Sequence, residues 1–217
     1  MVTVGDDVSV VELDLGGGRL ACPGCGGRLR PWGWAQPRGI REGWGQAATV
    51  ERHRPRRARC VGCGGTHVLL AASLAVRRAD GVGVIAAAVE AKVVLGRGHR
   101  WIAAWLGRPA STVRGWLRAF ASAAGAITEG FMALTVRDAP DAAGLWPRPS
   151  RDAARALAVL GAYAAAVGQR FGLGTVTWAR AGITATSGWL FSAAWWARTG
   201  QHELALTRGG GGTGGSH

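Results

Sequence analysis

Acidic residues are scarce in this sequence, and lysine is almost missing. Of the 217 residues, 13 are aspartate or glutamate and 26 are lysine or arginine, with Lys92 the single lysine. After residue 110 the acids are few and widely spaced: Glu129, Asp138, Asp141, Asp152 and Glu203. A nuclease centre for strand transfer needs three carboxylates that hold two metal ions, and this alanine-rich half has no run of strands to carry them. We also find no nucleophile–base pair and no phosphate-binding loop. The sequence therefore predicts a protein that is not an enzyme and has no small-molecule substrate.

Long apolar segments are missing as well. The acidic amino terminus lacks the apolar core of a signal peptide. Of two uncharged stretches, 156–169 is too short to cross a bilayer, and 181–197 is interrupted by glycine, serine and threonine. We expect no membrane span and a cytoplasmic, nucleoid-associated protein.

The positive charge is concentrated rather than spread. The formal net charge is +13, which points to a polyanionic partner, nucleic acid rather than a membrane surface. A GC-rich coding sequence would also raise the arginine content, so the position of the charge is more informative than its sum. Residues 91–128 contain basic residues and no acid, whereas 1–21 contain four acids and one arginine.

The only cysteines are two C-x2-C pairs, Cys22 with Cys25 and Cys60 with Cys63. Two such pairs around a β-rich insert predict a zinc ribbon in which four thiolates complete a tetrahedral site. The glycines after each second cysteine supply the positive φ at which the chain turns away. Because four thiolates leave no position for a reacting water, we expect Zn²⁺ to be structural.

Other uses of these cysteines fit less well. A thioredoxin-like redox pair would need a βαβ context, and two disulfides would need an oxidising compartment. His53 and His67 could each replace a thiolate, but with four cysteines available we expect both on the surface.

The insert between the pairs has its own run of arginines. Strands are predicted at Leu29–Trp34 and 49–59, joined by a loop over 37–45, with a further strand at 66–70. Pro55 predicts an edge or a bulge. The run either contacts phosphates or forms a solvated edge strand protected by charge. The candidate phosphate contacts are Arg54, Arg56, Arg57 and Arg59.

Residues 99–120, HRWIAAWLGRPASTVRGWLRAF, have the pattern of two short helices joined by a tight turn. The expected core positions are spaced as on helix faces: Ile102, Trp105, Leu106, Val113, Leu117 and Phe120. Gly107 can adopt the left-handed conformation that ends a helix, and Ser111 can cap the next one. The pattern predicts a helix-turn-helix, whose second helix lies in the major groove of DNA.

The outward face of that second helix carries Thr112, Arg114, Gly115 and Arg118. Two guanidinium groups one turn apart suit phosphates or guanine edges. The alternative is an ordinary helical hairpin with a solvated basic face. The candidate DNA contacts are Arg100, Arg108, Ser111, Thr112, Arg114 and Arg118.

The predicted fold is mainly α, a trihelical helix-turn-helix domain with an N-terminal four-cysteine zinc ribbon (small β) and a C-terminal helical segment. Asp80 caps the first helix of the three, and the recognition helix runs to about residue 136 or breaks at Gly125 or Gly130. The expected segments run as follows: acidic segment 1–21, ribbon 22–78, helix-turn-helix 79–136, linker 137–150, helical region 151–207, disordered glycine-rich tail 208–217. Four tryptophans of the helical region are expected in the core or in a homo-oligomer interface: Trp178, Trp189, Trp195 and Trp196.

Residues 22–120, a four-cysteine ribbon followed by GRGHRWIAAWLGRPASTVRGWLRAF, resemble the front end of insertion-sequence transposases. They are similar to small stand-alone proteins of that origin that keep CPxCG…RPRRARCxGC…THxLL before a helix-turn-helix. The resemblance implies zinc on the four cysteines and transposon-end or operator DNA on Ser111, Thr112, Arg114 and Arg118. Gly115 stands where relatives commonly have a second arginine, and a mid-helix glycine costs about 1 kcal/mol relative to alanine.

Three functions are consistent with these features. The first is a zinc-containing, sequence-preferring DNA-binding regulator or accessory factor of transposon origin, without catalytic activity, whose partner is double-stranded DNA. The second is the DNA-binding part or remnant of a transposase that acts with a separate catalytic chain, which a neighbouring nuclease gene or flanking inverted repeats would reveal. The third is a zinc-ribbon adaptor for protein or RNA, which would lack the steep salt dependence of duplex binding.

Overall fold

The structure, a computed structural model, describes residues 1–144 and 148–198. About half of the chain is helical, and the strands form small sheets. The predicted glycine-rich tail 208–217 and the end of the predicted helical region lie outside the described residues.

The amino-terminal third is built on a four-stranded sheet with the strand order β1-β6-β5-β2. Strand β2 (Leu29–Trp34) pairs antiparallel with β5 (Arg56–Cys60), and β5 pairs antiparallel with β6 (Thr66–Ala71). Strand β1 (Val2–Val4) is parallel to β6. The strands β2 and β6 lie where the sequence predicts them.

The first residues differ from the weak strand or loose segment that the sequence predicts. Helix α1 (Val8–Gly16) begins at Asp7, whose carboxylate accepts from the backbone N–H groups of Ser9 and Val10. Its buried Val11 and Leu15, one turn apart, pack into the ribbon core with Leu29, Ala58, Cys60 and Leu69. Residues 1–21 are therefore part of the ribbon and not a separate acidic segment.

The insert forms a second, two-stranded sheet of β3 (Arg38–Glu42) and β4 (Thr49–His53). The predicted loop 37–45 is therefore mostly strand, and the predicted strand 49–59 is two strands in different sheets. The chain changes sheet at Pro55, which has no N–H to donate to a ladder. Its carbonyl instead accepts from the backbone N–H of Ala35 at 2.8 Å.

The remaining elements of the described chain are helices, and they share one core. The elements are α2 (Val82–Val93), α3 (His99–Leu106), α4 (Ala110–Asp138), α5 (Asp152–Arg170) and α6 (Trp178–Ala185). Residues 193–198 are helical too. Because α5 and α6 pack on α2 and α4, the C-terminal helices belong to the same unit as α3 and α4.

Helix α4 is continuous past Gly125 and Gly130. Of the two predicted alternatives, the long helix to about residue 136 is therefore the one that forms. Neither of the two predicted side-chain caps at a helix amino terminus forms. Asp80 is not a cap, since α2 begins after Gly81 without a side-chain hydrogen bond. Ser111 lies inside α4, which begins after Pro109, a residue that cannot continue the preceding helix.

Two tryptophans of α3 and α4 are buried differently from the prediction. Trp116 is buried, whereas the predicted core residue Leu117 is only partly buried. Trp105, also predicted to be core, keeps an exposed edge and contacts Trp44 of the insert, with ring centroids 5.3 Å apart. The predicted core role of the C-terminal tryptophans holds, because Trp178 and Trp196 are buried and the other two are packed against the cores.

Within the described residues, α4 is the one helix with the length and composition of a membrane span, with a mean hydropathy of 1.4 over its most apolar window. Half of that window is buried inside the protein. Buried core residues continue along α4 to its end: Ala124, Ile127, Phe131 and Leu134. The apolar content of α4 is therefore accounted for by its central place among the other helices.

Candidate metal centre and basic surface

The four cysteines meet where two turns of the ribbon come together. Cys22 and Cys25 precede β2, Cys60 ends β5, and Cys63 lies in the following turn. Their sulfur atoms all lie within 4.8 Å of one another, with separations of 3.8 Å between Cys22 and Cys63 and 3.4 Å between Cys25 and Cys60. Four sulfurs at about 2.3 Å from a tetrahedral ion would be about 3.8 Å apart. No disulfide links them, so the cluster has the spacing and the donors to hold a metal ion.

The two turns have the same hydrogen-bonding pattern. The backbone N–H of Cys22 donates to the carbonyl of Gly27, and that of Cys60 donates to the carbonyl of Gly65, both at 2.8 Å. Gly26 and Gly64 have φ values of 71° and 72°, the left-handed conformation that the sequence predicts for these glycines.

Backbone N–H groups point at the sulfur atoms. The N–H of Cys63, the Cys25 thiol and the N–H of Gly62 donate to Sγ of Cys60 and lower the pKa of that thiol to about 6. The same contact with Cys60 raises the pKa of the Cys25 thiol to about 11. Because the thiolate is the form that binds metal, Cys60 is suited to be a ligand near neutral pH.

His67 contributes to the cluster in a way that the sequence did not predict. It is half-buried, with Nε2 at 3.3 Å from Sγ of Cys22. Its Nδ1 lies 3.4 Å from the terminal amino group. His67 is therefore placed to orient a ligand from outside the tetrahedron. His53, the other histidine considered, lies on β4 opposite Arg38.

A methyl group at Gly27 is expected to weaken metal binding. The Cβ of Gly27→Ala would lie 3.0 Å from Sγ of Cys60 and 3.3 Å from Sγ of Cys25, closer than side chains normally approach. We expect a loss of about 10- to 100-fold in metal affinity, as when groups that orient the ligands are disturbed. Chelator competition measures it. Gly24→Ala is the matched control, because its Cβ would meet only Sγ of Cys22, at 3.9 Å. Equal affinities of the two variants would contradict the expectation.

The basic residues of α3 and α4 form a second candidate site. Arg114 and Arg118 are exposed one turn apart near the beginning of α4, with Ser111 exposed and Thr112 half-buried beside them. Arg100 is exposed on α3. In the described part of the chain, Arg100, Arg114 and Arg118 form no ion pair with an acid.

Comparison with known proteins does not decide between the candidate functions. No family model, curated protein or solved structure matches this chain. Function is therefore inferred from the two sites themselves.

Arg108 does not belong to this basic surface, contrary to the prediction. Its side chain is 6% exposed, and Nε donates to the buried carboxylate of Asp80 at 2.6 Å. Its other nitrogens donate to the carbonyls of Leu106 and Gly43. With every arm of the guanidinium engaged inside the protein, Arg108 is not available to a phosphate or a base.

Asp80 is not the helix cap that the sequence predicts but the acceptor of a buried ion pair. It is 2% exposed and also accepts from Nη2 of Arg41 at 2.6 Å. The two arginines come from the insert and from the α3–α4 turn, so this buried acid joins the ribbon insert to the helices. Its signal in the sequence is that Asp80 is the only acid between Glu51 and Glu90.

Arg56, one of the candidate phosphate contacts of the insert, is also bound within the protein, contrary to the prediction. Its side chain is 16% exposed, lies 2.7 Å from Glu12 of α1, and donates to the carbonyl of Gly33 at 2.9 Å. Arg54 and Arg59 are exposed, and Arg57 is half-buried. The sequence could not separate these neighbours, because the fold of α1 against the sheet decides which arginine meets an acid.

Proposed function

We propose that this is a DNA-binding protein in which α3 and α4 form a helix-turn-helix and a Zn²⁺ ion on the four cysteines stabilises the ribbon. It acts on double-stranded DNA as a sequence-preferring regulator or accessory factor and performs no chemistry. The observation that carries the proposal is the pair of exposed arginines, Arg114 and Arg118, at the beginning of α4.

The packing around this pair supports the proposal. Gly107 ends α3 with φ of 63° and ψ of 40°, and α4 begins three residues later. Val113 and Trp116 are buried against α2 and α3 on the opposite side of the first turns of α4. The core therefore holds the arginines outward, as a helix that enters the major groove requires.

The four-thiolate donor set supports a structural role for zinc. Such sites are closed, because no coordination position remains for a reacting water. Two carboxylates of the helical region lie near arginines: Asp138 is 2.6 Å from Arg137, and the exposed Asp152 is 4.0 Å from Arg155. A transposon origin is the last part of the proposal, and the resemblance of residues 22–120 supports it.

Arg114→Ala is expected to weaken binding to the preferred duplex by about 1–3 kcal/mol and to relax the preference at one base pair, if the side chain reads a base. Selection of bound oligonucleotides from a random pool supplies the preferred sequence, and titrations at several salt concentrations measure the affinity. Binding of the wild type should fall steeply with salt, because phosphate contacts release counterions.

Arg170→Ala is the matched control, since Arg170 is also an exposed helical arginine but lies at the far end of α5. It should bind as the wild type does. An equal loss on every sequence would make Arg114 a phosphate contact. A wild-type protein that ignores duplex DNA at low ionic strength would overturn the proposed function.

A further inference from the structure

The ribbon exposes two tryptophans on one short strand. Trp32 is 50% exposed and Trp34 is 43% exposed, both on β2, where the pairing with β5 shifts register between Pro31 and Gly33. Exposing two such large apolar rings on a small sheet costs free energy. Neither ring is needed by the ribbon core, which is formed by other residues.

Arginines lie against both rings. The guanidinium carbon of Arg59 is 4.7 Å from the Trp32 ring centroid. The Trp34 ring has the paired Arg56 at 4.7 Å from its centroid and the exposed Arg54 at 5.9 Å. Nε of Arg59 also donates to the carbonyl of Gly64 at 3.2 Å, which holds the side chain over Trp32. We call Arg30, Trp32, Trp34, Arg54 and Arg59 the tryptophan–arginine face.

An open cavity adjoins this face. It has a volume of about 410 Å³, within the range of ligand sites. Its lining includes Arg30, Trp32 and Arg59. The cavity therefore offers a flat apolar wall and two positive charges to the same occupant.

The positive charge around the tryptophan–arginine face indicates which kind of ligand can bind there. Residues 52–79 contain no acid, and Glu12 of α1 is already paired with Arg56. A partner must therefore bring negative charge, and to use the tryptophans it must also bring flat rings. A nucleic acid whose bases are unpaired has both, whereas a duplex shows only base edges in its grooves.

We propose that the tryptophan–arginine face binds single-stranded nucleic acid, with unpaired bases stacked on Trp32 and Trp34 and the backbone phosphates held by Arg30, Arg54 and Arg59. The site is separate from α4, so it does not depend on the duplex-binding function proposed above. The protein then has two nucleic-acid surfaces, one for duplex and one for an unpaired strand.

The test uses the full chain and fluorescently labelled oligothymidylate and oligouridylate, with anisotropy as the readout. Trp32→Ala should lower the affinity for these strands about 5- to 100-fold, the loss of one stacked base, while Trp32→Phe keeps most of the affinity. Trp101→Ala is the matched control. Trp101 is also about half exposed, at 49%, and has an arginine, Arg97, 4.9 Å from its ring centroid. The Trp101→Ala variant should bind the strands as the wild type does.

A strand of the same length and charge without bases separates stacking from charge attraction. Weak binding of this abasic strand supports the inference, and binding as tight as that of oligothymidylate overturns it. Unchanged affinity of Trp32→Ala overturns it too. The double variant Arg114→Ala, Arg118→Ala should lose duplex binding and keep strand binding, so the two proposals can fail independently.

Discussion

Cys60→Ser is expected to abolish stoichiometric zinc binding and to unfold the ribbon while the helices remain. Cys60 is at once a predicted ligand and a buried member of the ribbon core, where it packs with Leu29 and Ala58. That core is small, and a structural zinc site supplies about 10–16 kcal/mol in comparable small domains. The helical core contains none of these residues, so the far-UV circular dichroism of the helices should persist.

Metal content by mass spectrometry and thermal unfolding with and without added zinc measure the effect. Val61→Ser is the control, because Val61 lies in the same turn, is 49% exposed, and contributes neither a ligand nor a core side chain. A Cys60→Ser protein that purifies with one equivalent of zinc and melts as the wild type does would refute the four-cysteine site.

The sequence predicts the cysteine cluster because its signal is local and chemical. Two C-x2-C pairs with following glycines fix the shape of each turn, and the four cysteines alone are enough to complete a tetrahedral set of ligands. The apolar spacing of α2 and α4 is equally local, and both helices lie where it places them. These features need no knowledge of the rest of the fold.

Features that depend on distant segments were not predictable in this way. Arg108 and Arg114 look alike in the sequence, yet one is buried by a carboxylate 28 residues away and the other is exposed. Residues 8–16 alternate weakly as a strand would, but they form a helix because Asp7 caps it and the ribbon needs Val11 and Leu15. Trp105 keeps an exposed edge and contacts Trp44 of the insert, a contact that the apolar spacing within α3 could not indicate.

Asp80→Ala is expected to lower the free energy of unfolding by about 3–5 kcal/mol, more than any surface ion pair would. Removing one partner of a buried pair leaves the other charge unpaired in a low-dielectric interior. Here the stranded group is Arg108, whose side chain is 6% exposed. Arg41, with a side chain 38% exposed, can turn to water and contributes less to the loss.

Asp14→Ala is the matched control for Asp80→Ala, because it removes the carboxylate of an ion pair at the surface. Asp14 pairs with Arg19 at the same 2.6 Å, but the two side chains are 31% and 61% exposed, so the expected loss is below about 1 kcal/mol. Urea unfolding of both variants gives the comparison. If burial is the cause, the double variant Asp80→Ala, Arg108→Ala should lose less than the sum of its two single variants, because no buried charge is left unpaired. Additive losses would mean that Asp80 and Arg108 do not stabilise the junction as a pair. A double variant that is as stable as the wild type but no longer binds duplex DNA would show that the pair holds the α3–α4 turn in position for DNA.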